Sequence, residues 1–371
     1  MKRRSASDEN VSLNRSDRGY RRILMIKPSS FGDVIHALPV LNGLRRRYPQ
    51  ARISWMLAHS CAGLLAHHPA LDEVIPFDRK YYGKLGRNLR ASVAFVQFVH
   101  TLWEHRFDLV LDLQGLFRSG FLTLTTGAST RIGFADAREL SPIFYTRRIR
   151  TPHPQMHAVD RNYLVAEPLG FADVPITFDL PVNPRARASV QAMLSTKGIP
   201  PGTAYVLLGP GTRWETKQWP TEYLASVVNE LRSRYRLPVV LTGMLEETPI
   251  AEKLLALADH DVVNLAGKTS LAEMIALVAD ASLVIMHDSG PMHLATALNK
   301  PMVAIYGPTS PQLTGPYHRP EAIARHDVPC SPCRIKKVCD CPYDHRCMRD
   351  LKPEVVSAQV AQTVATIAGI P

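Results

Sequence analysis

Apolar positions along the chain fall into two alternating patterns. Short, near-continuous apolar runs occur at 22–26, 52–57, 73–77, 108–113 and 131–134, and again at 205–208, 238–242, 262–265, 282–286 and 301–306. Runs of this length, without polar alternation, are those of strands covered on both faces of a parallel sheet. Stretches of helical periodicity lie among them: Val34, Ala37, Leu38, Leu41, Leu44 and Tyr48 in the first, then 88–105, 157–169, 186–196, 221–235, 247–258 and 270–279. Pro39 sits inside the first of these, which predicts an irregular or kinked first turn, and Pro49 ends it.

Strand, loop, helix, strand is the βαβ unit, and the chain repeats it in two series. The join is an extended, proline-bearing stretch, 172–186, with Pro175, Pro181 and Pro184. The expected class is therefore α/β, with two Rossmann-like doubly wound domains at 21–171 and 187–352, a linker at 172–186 and a C-terminal helix in 353–371. Ligands of such folds sit beyond the carboxyl ends of the strands, here expected in an interdomain cleft. Residues 1–20 carry no apolar periodicity and are expected to be a disordered tail.

Composition narrows the partners. Of 371 residues, 46% are hydrophobic and 21% charged, which excludes collagen-like, coiled-coil and mostly disordered chains. No run of about 18 apolar residues predicts a transmembrane helix. The basic start, Met1-Lys2-Arg3-Arg4, lacks the apolar stretch of a secretory signal, so a cytoplasmic location is expected. Lysine and arginine number 44 against 33 acidic residues, a net charge of +11. Part of the excess lies in 79–150, with twelve basic and five acidic side chains. Such a surplus attracts phosphorylated ligands, nucleic acid or an anionic membrane face. No nucleic-acid recognition motif is present, and aromatic residues are only 7%, so nucleic acid is not an expected partner.

Three loops after strands carry candidate chemistry. In Ser29-Ser30-Phe31-Gly32-Asp33, Gly32 permits close backbone approach, and the helix start offers N–H groups to an anion. Asp33 could take a proton from a hydroxyl nucleophile, or could simply cap the helix. The run from Gly209 to Pro220 sets Thr212, Arg213 and Lys217 after a glycine turn, which points to a phosphate site. In the third loop, Asp288, Ser289 and Gly290 open a helix that could hold a nucleotide's phosphate or ribose. His293, one turn on, reads equally as a ligand contact or a core histidine. Gly267-Lys268-Thr269-Ser270 imitates the end of a P-loop, but Val262 stands where its first glycine belongs, so it is read as a loop with a helix cap.

Together, the runs from Ile26 to Pro39, Lys217 to Pro220 and Asp288 to Leu294 resemble glycosyltransferase family 9, the family of the ADP-heptose:lipopolysaccharide heptosyltransferases. The resemblance covers about residues 21–355. It implies a GT-B architecture and inverting transfer of a heptose from an ADP-activated donor to the lipopolysaccharide inner core, at a Kdo or heptose acceptor. It assigns Asp33 as base, and Thr212, Lys217, Asp288 and Gly290 to the donor; Arg213, Ser289 and His293 join the donor candidates from the reading of the same loops. Glu246, with Glu247 as competitor, is the ribose candidate. Gln114, Arg118 and Arg138 match the region that meets an anionic acceptor, and Ser30 and Gly32, beside Asp33, join the acceptor candidates. The implied place of work is the cytoplasmic face of the inner membrane, as a peripheral protein. No metal is required, because protein cations meet the leaving diphosphate. A nucleotide-sugar epimerase of GT-B fold and an inactive nucleotide-sugar or polyanion binder are the competing readings.

The cysteines stand apart from this chemistry. Cys330, Cys333, Cys339, Cys341 and Cys347 fall within 18 residues, and with His345 could bind zinc. Their spacing does not fit a standard zinc ribbon, so reduced thiols packed in a loop are the favoured reading.

Overall fold

The structure, a computed structural model, describes residues 19–259 and 262–367. The expected tail, apart from residues 19 and 20, lies outside the described residues, as does the end of the C-terminal segment. Contacts divide the chain into two units. Among the described residues, the first holds those up to Ser29 together with Ala37–Pro154 and Asp160–Thr177; the second holds Ser30–His36, Gln155–Val159 and those from Phe178 onward. Ser30–His36 and Gln155–Val159, placed by sequence order in the first domain, thus cluster with the second unit.

The first unit is built on a sheet of β1 (Arg22–Ile26), β2 (Arg52–Ala58), β3 (Glu73–Phe77), β4 (Leu109–Asp112), β5 (Thr130–Phe134) and β6 (Arg147–Ile149), in the order β3-β2-β1-β4-β5-β6. The second repeats that order with β7 (Val206–Gly209), β8 (Val239–Leu241), β9 (Val263–Asn264), β10 (Leu283–His287), β11 (Met302–Tyr306) and β12 (Ile323–Arg325), as β12-β11-β10-β7-β8-β9. Every pairing is parallel. Both orders reverse direction beside the first strand of the series, which is where a doubly wound sheet collects its ligands. The central strands are buried throughout: Ile23–Ile26 and Val206–Leu208 are closed to solvent, as their unbroken apolar runs require.

Edge strands β6 and β12 were not predicted. Arg147-Arg148-Ile149 and Ile323-Ala324-Arg325 are three residues each and carry arginines, so they show no apolar run. After β4 the chain forms a loop only as far as Leu116, because a helix starts at Phe117 and runs to Thr125. Ser119 Oγ accepts the Leu116 amide at 3.0 Å and starts that helix. The stretch expected as one helix from 157 to 169 is two short ones, Ala158–Tyr163 and Ala166–Leu169. The kink near Pro39 is a full break: one helix spans Phe31–Ile35, and the next, Leu38–Arg47, takes Pro39 into its first turn, where a missing N–H costs nothing.

The linker also ends early, because the helix Pro184–Ser195 begins inside it. Asn183 caps that helix: its Oδ1 accepts the amides of Arg185 at 2.9 Å and Ala186 at 3.2 Å. Asn183→Ala should cost about 1 kcal/mol of the second unit's stability, as caps of this kind do. Urea unfolding of the variant, with an unchanged slope and a lower midpoint, is the expected result.

Candidate active site

The residues with chemical potential in the second unit are gathered at the ends of β7 and β10. β10 closes on His287, and Asp288 follows. His287 accepts the Trp219 amide on Nε2 at 3.1 Å, so its proton sits on Nδ1, which donates to the Gly209 carbonyl at 3.1 Å. Burial pushes its pKa down to about 4. A neutral imidazole therefore pins both ends of the Gly209–Trp219 loop to β10.

Asp288 is nearly closed to solvent. Its Oδ2 meets Lys217 Nζ at 2.6 Å and accepts the Thr309 hydroxyl at 2.6 Å, while the Tyr306 hydroxyl lies 3.4 Å from Oδ1. Lys217 Nζ also donates to the Asp288 carbonyl at 3.3 Å and stands 4.6 Å from the centre of the Trp214 ring. A lysine aimed by a buried carboxylate and an aromatic face is pre-set to meet an anion. Thr212 is buried in the same loop, with its Oγ1 donating to the Trp214 carbonyl at 2.7 Å. Arg213 is exposed. Ser289 caps the helix Gly290–Ala297 without a side-chain bond.

Against that helix lies the short helix Phe31–Ile35. The approach is close enough that a Cβ on Gly32 would fall 2.3 Å from His293 Cδ2, and one on Gly290 would fall 2.7 Å from Phe31 Cδ1. His293 Nδ1 is 3.0 Å from His36 Nε2. His157 joins the cluster, its ring centre 5.5 Å from that of His36, with Nε2 donating to the Gly315 carbonyl at 3.1 Å. Burial pushes His293 down to about 4, although the Asp288 and Asp33 carboxylates nearby oppose the shift. It is neutral near pH 7, so one of the two facing nitrogens of the His36–His293 pair carries the shared proton.

Asp33 both caps and faces this cluster. Its Oδ2 accepts the Ser30 amide at 2.6 Å and the Ser30 hydroxyl at 2.8 Å. The Ser30 amide, expected to be open to an anion, is thus taken by the chain itself. The capping alternative describes what Asp33 does locally, and the half-buried carboxylate lies near enough to His293 to act on it, as Asp288 and Lys217 do.

The two glutamates of the donor region differ. Glu246 is exposed. Glu247 packs so tightly on the glycine turn that a Cβ on Gly211 would fall 2.8 Å from its side chain, and its Oε2 accepts the Met244 amide at 2.8 Å. Burial raises its pKa. The P-loop imitation resolves into a capping box: Ser270 Oγ accepts the Glu273 amide, and Glu273 Oε2 accepts the Ser270 amide at 2.8 Å.

In the first unit, the ends of β4 and β5 bring Gln114 and Arg138 to neighbouring loops. Gly115, at φ +66°, lets Ala137 approach to 3.0 Å from its missing Cβ, and the Arg138 amide donates to the Gly115 carbonyl at 3.0 Å. Arg118 and Arg138 are exposed, and Gln114 Oε1 is buried with no partner. Asp112, which sequence reasoning passed over as a strand residue, holds this corner. It accepts the Gln114 and Gly115 amides at 2.9 and 3.0 Å and the Tyr145 hydroxyl at 2.7 Å. An aspartate closing an otherwise apolar strand was its one visible signal.

The cysteine segment turns out to brace the Lys217 loop. Thr216 Oγ1 donates to the Ile335 carbonyl at 2.5 Å, and His345 Nε2 donates to the Thr216 carbonyl at 2.6 Å. The five clustered cysteines are free thiols. Cys347 is pushed up to about 11 by burial, with Cys333, Cys330 and Cys341 adding to the shift. Among the described residues, no group of three or more His, Cys, Asp or Glu side chains is placed to hold a metal ion.

With this geometry in view, the comparisons decide the family. The model of glycosyltransferase family 9 (heptosyltransferase) matches residues 95–343. The chain is 34% identical over 326 residues to lipopolysaccharide heptosyltransferase 1 of Pseudomonas aeruginosa, covering 86% of this chain and 87% of that one. The chain belongs to glycosyltransferase family 9. It is 28% identical over 326 residues to lipopolysaccharide heptosyltransferase 2 of Escherichia coli K12, covering 82% of this chain and 88% of the relative. In three dimensions it matches the E. coli heptosyltransferase WaaC with ADP at a TM-score of 0.72 and 26% identity, over 92% of this chain and 99% of that one. Like the rest of its family, the protein is a glycosyltransferase of α/β fold, with two Rossmann-like sheets.

Two outcomes follow from the packing. Gly32→Ala forces the His293 ring to move, and should lower thermal stability and transfer rate together while secondary structure is kept; circular dichroism and an activity assay on the same preparation check it. Neutral His287 and His293 bind protons in the unfolded chain below about pH 6.5 but in the folded chain only near pH 4. Their stabilising contribution is therefore complete above pH 6.5 and shrinks as pH falls toward 4, by roughly 3 kcal/mol each. Thermal unfolding between pH 7.5 and 4.5 should show a falling midpoint, and a flat profile would contradict the neutral assignment.

Proposed function

We propose that this glycosyltransferase moves a heptose from an ADP-activated donor onto the inner core of lipopolysaccharide, with inversion at the anomeric carbon. The reading is carried by one observation: the helix that bears Asp33 packs against the helix that follows Asp288, Gly32 against His293, and the charges of Asp33, Asp288 and Lys217 all act on His293.

In this reading the acceptor hydroxyl loses its proton to the Asp33 carboxylate as its oxygen attacks the anomeric carbon. The bond from that carbon to the diphosphate oxygen breaks on the opposite face, and ADP leaves with the electron pair. Lys217, Thr212, Arg213 and the amides at the start of the helix Gly290–Ala297 stabilise the departing charge. Asp288 aims Lys217 rather than quenching it, because Thr309 and Tyr306 share the carboxylate. The cation can then turn partly toward phosphate without leaving Asp288 unpartnered. Ser289 borders the same amides, and neutral His293 fills the space beside the sugar without adding charge. Protein groups supply all the charge this step needs.

For the ribose we assign Glu247 ahead of Glu246, because it lies on the glycine turn of the donor loop. Ser30 and Gly32 border the acceptor hydroxyl, and Gln114, Arg118 and Arg138 receive anionic groups of the acceptor. Such an acceptor is anchored in lipid, and we place the protein at the cytoplasmic face of the inner membrane. Among the described residues, no helix is long and apolar enough to cross a membrane.

Asp33→Asn keeps an oxygen to accept the Ser30 amide and removes the base. It should lower the transfer rate at least about 100-fold, in the range of a lost general base, while ADP binding, measured by calorimetry, changes little. Transfer at the wild-type rate by Asp33→Asn would remove Asp33 from the chemistry. Conversion of the donor when no acceptor is present would instead point to an epimerase.

A further inference from the structure

We propose that the outward face of the helix Leu89–Glu104 is the surface by which this protein docks on an anionic phospholipid bilayer, an inference that rests on the reading of a lipid-anchored acceptor. The helix has two opposite apolar faces. One carries Ala91, Phe95 and Leu102 and is buried in the first unit. The other carries Leu89, Val93, Val96 and Trp103 at spacings of four, three and seven residues, which at 3.6 residues per turn is a single stripe. These side chains are exposed, Leu89 to 82% and Val96 to 65%. Leu85, just ahead of the helix, is exposed to 47%. His100 lies in the same line between Val96 and Trp103, its ring centre 6.1 Å from the Trp103 ring, and a largely apolar stripe on an ordered helix marks an interaction surface, whereas scattered single residues would not.

Charge selects the occupant. Lys84, Arg87, Arg90 and Arg106 flank the stripe and are exposed. Arg106 stacks on Trp103, its guanidinium 4.6 Å from the ring centre. The acidic member, Glu104, is engaged by His100 at 3.2 Å. A second copy of this chain would bring the same cations against themselves, and the N-terminal segment, with seven basic and three acidic residues in 1–22, has the wrong sign. An anionic lipid surface is complementary on both counts. Its headgroups meet the cations, and its acyl boundary takes the leucine and valine side chains, with a tryptophan at the interfacial depth that residue prefers.

The test uses the full chain and vesicles of phosphatidylethanolamine and phosphatidylglycerol, with phosphatidylcholine vesicles as the neutral arm. The wild type should float with the anionic vesicles at low salt, not with the neutral ones, and release as salt is raised. Leu89→Gln/Val96→Gln and Arg87→Glu/Arg90→Glu should each weaken binding at least about tenfold, since each basic residue at an anionic surface contributes several-fold. Both variants should keep the wild-type unfolding midpoint and the rate of transfer to a deacylated, water-soluble acceptor. Wild-type-like flotation of both variants, or no flotation of the wild type, overturns the proposal. So does a dimer, seen by sedimentation, that the Leu89→Gln/Val96→Gln change dissolves. A wild type that floats but transfers nothing to the soluble acceptor would defeat the functional reading and leave the docking surface standing.

Discussion

Lys217 and Asp288, 2.6 Å apart in surroundings nearly closed to water, are the contact around which the candidate site of the second unit is organised. A buried ion pair is a poor source of stability, because desolvation offsets most of its attraction. Breaking it is costly all the same, since the partner left behind is a buried, unmatched charge. Here the pair is held by the Thr309 and Tyr306 hydroxyls on one side and by Trp214 on the other. The carboxylate therefore acts as a mount for the lysine. An anion arriving at Nζ finds a cation already oriented and partly dehydrated, so little reorganisation accompanies binding. The cysteine-bearing segment serves the same end from outside, bonding to Thr216 next to the lysine.

The second constraint is steric. Gly32 and Gly290 are missing side chains at the two faces of one contact, where His293 and Phe31 take up the space. That contact sets Asp33 beside His293, near enough for its charge to act on the ring, while leaving the carboxylate bonded to Ser30. Capping and catalysis are often weighed as rivals for such an aspartate. Here the two are compatible: the bonds to Ser30 fix the carboxylate's orientation, which the proposed role as base would need. Burial keeps His293, beside Asp33, neutral near pH 7, so that ring fills space and shares a hydrogen bond with His36 without adding positive charge.

The surface of the first unit follows a different logic. Its core helix buries one apolar face and leaves another outside, where nothing in the unit needs it. Lys84, Arg87, Arg90 and Arg106 border that face, and the helix's acidic residue, Glu104, lies 3.2 Å from His100. Asp112 lies inside, closing the Gln114–Gly115 corner. A segmental charge excess visible in the composition thus acquires a direction only when side chains are sorted into inside and outside.

The local sequence determined the central strands, the long helices and the βα repeat. Each of these is written in a run of neighbours: four or five apolar residues for a buried strand, an apolar recurrence every three or four for a helix. The edge strands β6 and β12 escaped because an arginine-bearing strip of three residues leaves no such record. Thr212, Lys217, Asp288 and Gly290 could be singled out because loops after strands present chemistry and because they match the motifs of a family. Tertiary structure alone decided the rest. It chose Glu247 over Glu246 for the glycine turn, set His36 on His293, gave Asp112 and His287 their holding roles, and joined Ser30–His36 to a unit whose main body begins some 140 residues later. Those outcomes depend on contacts between residues far apart in the chain, and a local pattern carries no information about which distant side chain will fill the space a glycine leaves.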